Sequence, residues 1–302
     1  MTAHSTPLWR RQAERGSLAL MWLLTRIALL FGRGAARALL PVICIYFIVF
    51  SGPARRASRD YLSRVLGRRA GFADVYRHYL CFATTILDRV FWLSGHLDDY
   101  SLQLEGVECV EAAMRAGAGC LLIGAHFGSF ELTRVLARAV PDMPIDVLMH
   151  PHNARKVGAT IRAVDGAADR NVIVLGECDT MLRVRDALAA GHGVGLLADR
   201  SMRAADLCAC EFLGSAATFA RGPFRLAAAL PVPVILFHSV WLGQRRYRVR
   251  FTSMPIDRST RGAAVVDRAV RDYARWLEAA CKDAPYNWFN FYDFWAATDD
   301  EA

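Results

Sequence analysis

Residues 120–132 read Cys-Leu-Leu-Ile-Gly-Ala-His-Phe-Gly-Ser-Phe-Glu-Leu, and the way they divide decides the fold. Cys120–Gly124 is a short, unbroken apolar run, the pattern of a strand buried on both faces of a parallel sheet. Ser129 is a residue type that caps helix starts, which puts Glu131 in the first helical turn and leaves His126 on the connecting loop. The alternation continues outward. Further strand-like runs stand at Ile145–Met149, Val172–Leu175, Val194–Ala198, Val232–Val240 and Tyr247–Phe251, separated by helical stretches around 130–140, 155–164, 179–190, 222–230 and 262–281. Upstream, Val75, Tyr79, Phe82, Ile86 and Val90 recur at helical spacing within Ala70–Gly95. The expected class is α/β, with a mostly parallel central sheet flanked by helices. Ligands of such sheets bind beyond the carboxyl ends of the strands, so the residues just after each run are the first candidates for chemistry.

His126 and Glu131 occupy that position. A glycine two residues after the histidine, Gly128, lets the loop turn tightly and brings backbone close to a ligand. A carboxylate five residues on can fold back onto the imidazole, fix its tautomer and leave the other ring nitrogen to take a proton from an alcohol. That is general-base machinery, suited to making a hydroxyl attack an activated acyl group. The competing reading is a capping carboxylate beside an ordinary loop histidine.

The chain has 302 residues, 54% of them hydrophobic and 22% charged, which is enough to bury a large core and excludes a disordered or fibrous chain. Its net charge of +8 is concentrated at the start. Residues 1–70 carry twelve arginines against Glu14 and Asp60, so the remainder is slightly acidic. A basic segment beside apolar stretches fits an anionic membrane surface, and aromatic residues do not interleave with it as nucleic-acid binding would require. The apolar runs 18–31 and 38–50 are each shorter than the roughly 20 residues a spanning helix needs, and arginines flank both. The reading is a helix or short helical hairpin entering the inner leaflet from the cytoplasm. A secretory signal, a pair of soluble core helices and a tilted span remain as alternatives. Residues 1–69 form this membrane-associating segment and 70–302 the catalytic domain. The eight cysteines lie mostly in apolar runs without paired metal spacing, so they read as small hydrophobes and no metal site is expected.

HFGSFE (126–131) resembles the H-x-x-x-x-D/E motif of the glycerolipid acyltransferase superfamily, specifically the branch of late acyltransferases of lipid A biosynthesis. The likeness covers nearly the whole chain. It takes in the arginine-rich apolar start, Leu87-Asp88-Arg89, Gly195 to Arg200, Phe212-Leu213-Gly214, and Gly222-Pro223-Phe224 through Pro231-Val232-Pro233-Val234. The ending Tyr286–Trp295, with seven aromatic residues in ten, is similar to the closing segment of lipid and polyene-pigment assembly enzymes. That ending fits either a membrane-interface belt or the inside of a closing sheet.

The resemblance implies transfer of an acyl chain from a thioester, on acyl carrier protein or coenzyme A, to a hydroxyl of a membrane lipid or glycolipid. No other cofactor is implied, and the place of work would be the cytoplasmic face of the bacterial inner membrane. By position His126 would be the base and Glu131 its orienting partner. Asp199-Arg200 departs from the Asp-x-Asp and Glu-Gly-x-Arg patterns of other branches.

Independently of any family, Arg200, Arg203 and Arg221 offer guanidinium forks for a phosphate. Pro223, after Gly222, starts a helix whose first N–H groups would face an anion. Phe212 and Gly214 could line an acyl channel or belong to ordinary packing. An acyl-thioester hydrolase and a non-catalytic membrane lipid-binding protein are the rival functions. No Gly-x-Ser-x-Gly elbow supplies an esterase nucleophile, and no G-x-G-x-x-G follows a strand.

Overall fold

A computed structural model describes residues 18–117, 119–135, 144–149, 151, 172–200, 206–259 and 262–295. The expected helix around 155–164 and Arg203 lie outside them. The described elements run α1 (Leu18–Phe50), α2 (Gly52–Leu66), α3 (Phe72–Leu93), β1 (Ser101–Glu105), α4 (Val107–Arg115), β2 (Cys120–Gly124), β3 (Ile145–Met149), β4 (Val172–Val174), α5 (Thr180–Ala189), β5 (Gly193–Leu197), β6 (Leu207–Phe212), β7 (Ser215–Ala220), α6 (Gly222–Ala229), β8 (Val234–Gly243), β9 (Arg246–Ser253) and α7 (Ala263–Asp283). They fall into two compact units. One takes in residues 1–91, 200–220 and 271–302, and the other 92–199 and 221–270.

The second unit holds a seven-stranded sheet in the order β1-β9-β8-β2-β5-β3-β4. Every pairing is parallel except β8 with β9, so the sheet is mostly parallel, as the alternation of runs predicts. β2 is buried along its whole length because both faces of a central parallel strand are covered. β9 alternates instead. Tyr247, Val249 and Phe251 turn inward, while Arg248 and Arg250 turn out and reach Glu105 of the edge strand β1. The stretch expected as a helix from 130 begins as a 3₁₀ turn, Phe130–Val135.

In the first unit, the apolar start forms two helical pieces that meet at Gly32, where the backbone leaves the helical region. From Leu30 to Phe50 it runs 21 residues with mean hydropathy 1.7, long and apolar enough by itself to cross a membrane. The two apolar runs stay apart at Gly32, whose φ of 79° and ψ of 171° are not helical, and the second run gains length from residues 33–37 before it. Arg33 would forbid this if it were bare, but its Nε and Nη2 donate to Asp88 Oδ1 and Oδ2 at 2.5 and 2.9 Å, and both residues are buried. A two-pronged ion pair of this kind neutralises the charge where it is desolvated. Ala36, Leu40, Cys44 and Ile48, spaced by one helical turn, form the buried stripe. Leu30, Phe31, Val42, Val49 and Phe50 stay exposed on other faces. Arg55 Nη1 closes the helix end by donating to the Ile48 carbonyl at 3.0 Å.

Tyr286–Trp295 is interior to the first unit. Trp288, Phe289, Phe294 and Trp295 are buried, and Trp288 meets Tyr61 and Phe212 edge-on at centroid distances of 4.9 and 5.4 Å. β6 and β7 form an antiparallel hairpin whose turn is Leu213-Gly214, both with positive φ. Five of the cysteines (44, 81, 120, 208 and 281) are buried free thiols, in keeping with their apolar contexts.

His78 of α3 is fully buried in this unit. Its Nδ1 pairs with Ser58 Oγ and its Nε2 with the Trp288 carbonyl, each at 2.8 Å, and its ring stacks on Phe291 at 4.6 Å. Burial pushes its pKa down from the ordinary 6.5 to about 4. The unfolded chain therefore binds a proton more readily than the folded one. The stabilisation is complete above pH 6.5 and lost as pH falls towards 4, about 3 kcal/mol in all. The melting temperature should fall across that window, and less steeply in His78→Gln. Identical pH slopes for the two proteins would contradict this.

Candidate active site

β2 ends at Gly124, and two residues later His126 stands just past the strand end. Its neighbour β5 pairs in register, Gly124 opposite Leu197, and two residues beyond Leu197 comes Asp199. Parallel strands in register thus deliver an imidazole and a carboxylate to the same edge of the sheet. Ala198 N–H donates to the Gly124 carbonyl at 3.0 Å and fixes the spacing of the two chains there.

Both oxygens of Asp199 hold His126. Oδ1 lies 2.8 Å from Nδ1 of the ring, and Oδ2 accepts the His126 backbone N–H at 3.0 Å. The carboxylate side chain is 1% exposed and the imidazole 30%. An ionised carboxylate can only accept, so the ring proton belongs on Nδ1 and the basic lone pair on Nε2. The two-point grip fixes the ring's position as well as its tautomer.

Glu131 lies on the same loop and meets Ser129. Its Oε2 accepts the Ser129 hydroxyl at 2.7 Å, while the carboxylate on Nδ1 of His126 is that of Asp199. Ser129 in turn donates its N–H to Ser239 Oγ at 2.7 Å, tying the loop to β8. Gly128 makes this tie possible. Its φ is +65°, and a Cβ there would sit 2.0 Å from the Ser239 carbonyl oxygen. Phe130 lays its ring on Gly195 of β5, where a Cβ would come within 2.7 Å of it. The loop after His126 is therefore fastened to the strands on both sides of β2.

The remaining candidates are spread over the chain. Arg221 forks onto Asp267, Nε to Oδ1 at 2.6 Å and Nη2 to Oδ2 at 3.2 Å, at the start of the Gly222-Pro223 helix α6. In the first unit, Phe212 is fully buried among Phe219, Trp288 and Phe294, and Gly214 occupies the exposed hairpin turn. Arg200 donates from Nη2 to the Phe289 carbonyl at 3.2 Å. Sequence reasoning placed Asp199 at the binding edge without joining it to His126. The joining signal is the equal offset of the two residues from the ends of paired strands, which requires knowing that β2 and β5 are neighbours.

The family model for bacterial lipid A biosynthesis acyltransferases matches residues 20–296. The chain belongs to that family. Membership makes it an acyltransferase of lipid biosynthesis. No curated protein matches the sequence. Among solved structures, the 1-acyl-sn-glycerophosphate acyltransferase PlsC from Thermotoga maritima matches with 16% identity and a TM-score of 0.36, covering 82% of this chain and 96% of that one.

Proposed function

We propose that this family member transfers an acyl chain from a thioester, on acyl carrier protein or coenzyme A, to a hydroxyl of a membrane glycolipid of the lipid A kind. The observation that carries the reading is the grip of Asp199 on both the ring and the backbone of His126, which leaves Nε2 as the basic nitrogen at a strand end. Nε2 takes the hydroxyl proton as the oxygen attacks the thioester carbonyl carbon. The resulting tetrahedral oxyanion is stabilised by N–H donors and collapses by breaking the C–S bond. The thiolate recovers the proton from the imidazolium, so no covalent acyl-enzyme and no further cofactor enter the balance. Glu131 acts through Ser129, holding the loop that presents His126.

The exposed apolar face of Leu30–Phe50, followed by Arg55, Arg56 and Arg59, supports a site of work on the cytoplasmic face of the inner membrane. Purified protein supplied with radiolabelled acyl thioester and membrane lipid is expected to yield acylated lipid. Free fatty acid without acylated lipid would point to a hydrolase and defeat the reading. Mass spectrometry of membrane lipids from cells with and without the protein identifies the acceptor.

A further inference from the structure

We propose that Asn290 and Arg200 form a subsite for the anionic oxygens of a phosphate ester. Asn290 is 2% exposed in the closing aromatic segment. Tyr292 N–H approaches its Oδ1 at 3.4 Å, which sets the amide orientation because an N–H can meet only the oxygen. Nδ2 is then left buried with no partner among the described residues, and so is Nε of Arg200. Arg200 reaches the segment that carries Asn290 on either side of it in sequence. Arg200 Nη2 donates to the carbonyl of Phe289, one residue before Asn290, and its guanidinium lies 5.6 Å from the ring centre of Tyr292, two residues after it.

The segment that carries Asn290 is pinned along its length. The Pro285 carbonyl accepts from Tyr61 Oη at 2.7 Å, Asn287 Oδ1 from Cys81 Sγ at 3.4 Å, and the Trp288 carbonyl pairs with His78. A stretch whose backbone acceptors are used so fully, yet which keeps a buried amide donor and a guanidinium N–H unspent, is preorganised for an acceptor from outside. Both vacant groups only donate and one carries a positive charge, so the complementary group is an acceptor-only anion. Phosphate esters supply that chemistry from two sources: the pantetheine arm of the acyl donor, or a phosphorylated acceptor head group.

The proposal takes the identity of its ligand from the acyl-transfer reading. Its test measures binding without turnover, so it fails or stands independently of His126 as a base. Full-length protein in detergent is titrated calorimetrically with coenzyme A and with glucosamine 1-phosphate. Wild type should bind at least one of them, and Asn290→Leu and Arg200→Lys should each weaken that binding by about tenfold or more. Binding of coenzyme A alone assigns the subsite to the donor, and binding of glucosamine 1-phosphate alone assigns it to the acceptor. Arg200→Lys, at a partly exposed position, keeps the test decisive should Asn290→Leu fold poorly. No binding of either probe by wild type, or undiminished binding in the folded variants, would overturn the subsite.

Discussion

Replacing Asp199 by asparagine is expected to lower the rate of acyl transfer by about 10²- to 10⁴-fold with the fold intact. The change is nearly isosteric, and one oxygen remains to accept the His126 backbone N–H at the position Oδ2 now holds. The other side-chain position then becomes an amide N–H₂ facing Nδ1, which lies 2.8 Å from Oδ1 in the wild type. Two donors cannot share that gap, so the ring turns to the tautomer with its proton on Nε2, and the base disappears from the nitrogen that should accept the acceptor's proton. The loss should fall on kcat rather than KM, because substrate binding does not depend on the tautomer. Glu131→Gln is the control: it keeps an oxygen for the Ser129 hydroxyl and should cost far less. Wild-type kcat in Asp199→Asn would remove Asp199 from the catalytic unit, and a loss in Glu131→Gln as large as that in Asp199→Asn would place Glu131 in it.

Much of the sheet was legible because its strands are buried on both faces and so spell themselves as apolar runs, as at Cys120–Gly124. Strands of polar or small residues were not, although the apolar edge strand β4 was. β1 reads Ser-Leu-Gln-Leu-Glu and has partners only on one side, so little in its composition separates it from loop. The β6–β7 hairpin carries small side chains and turns on Leu213-Gly214, without the Asn-Gly signal that marks most two-residue turns.

The site divided in the same way. His126 was visible from its place after a strand, and the spacing of five singled out Glu131, whereas Asp199 was not connected to the ring. The carboxylate on its ring comes from 73 residues further on, through strand order that no local pattern encodes. Arg33 misled for a related reason. As sequence it ends the apolar stretch at residue 33, while in the fold Asp88, 55 residues away, neutralises it, so the helix after the Gly32 break begins with Arg33 and carries on through the second apolar run. Charge seen alone in a sequence says nothing of its partner, and in both places the partner determines the role.

The central claim is that His126 takes the proton from the acceptor hydroxyl. A positioned base contributes about 10²- to 10⁴-fold to such a step. Alanine at 126 removes both the base and the group that Asp199 orients, while the backbone N–H that Oδ2 accepts remains, so the loop should keep its place. Binding of the thioester should survive, and the loss should again lie in kcat. The most direct measurement is the transfer of a radiolabelled acyl chain to lipid by purified His126→Ala beside wild type, at saturating thioester and with the two proteins matched for melting behaviour. A fall of about 10²-fold or more is the predicted result; transfer at the wild-type rate would contradict the account.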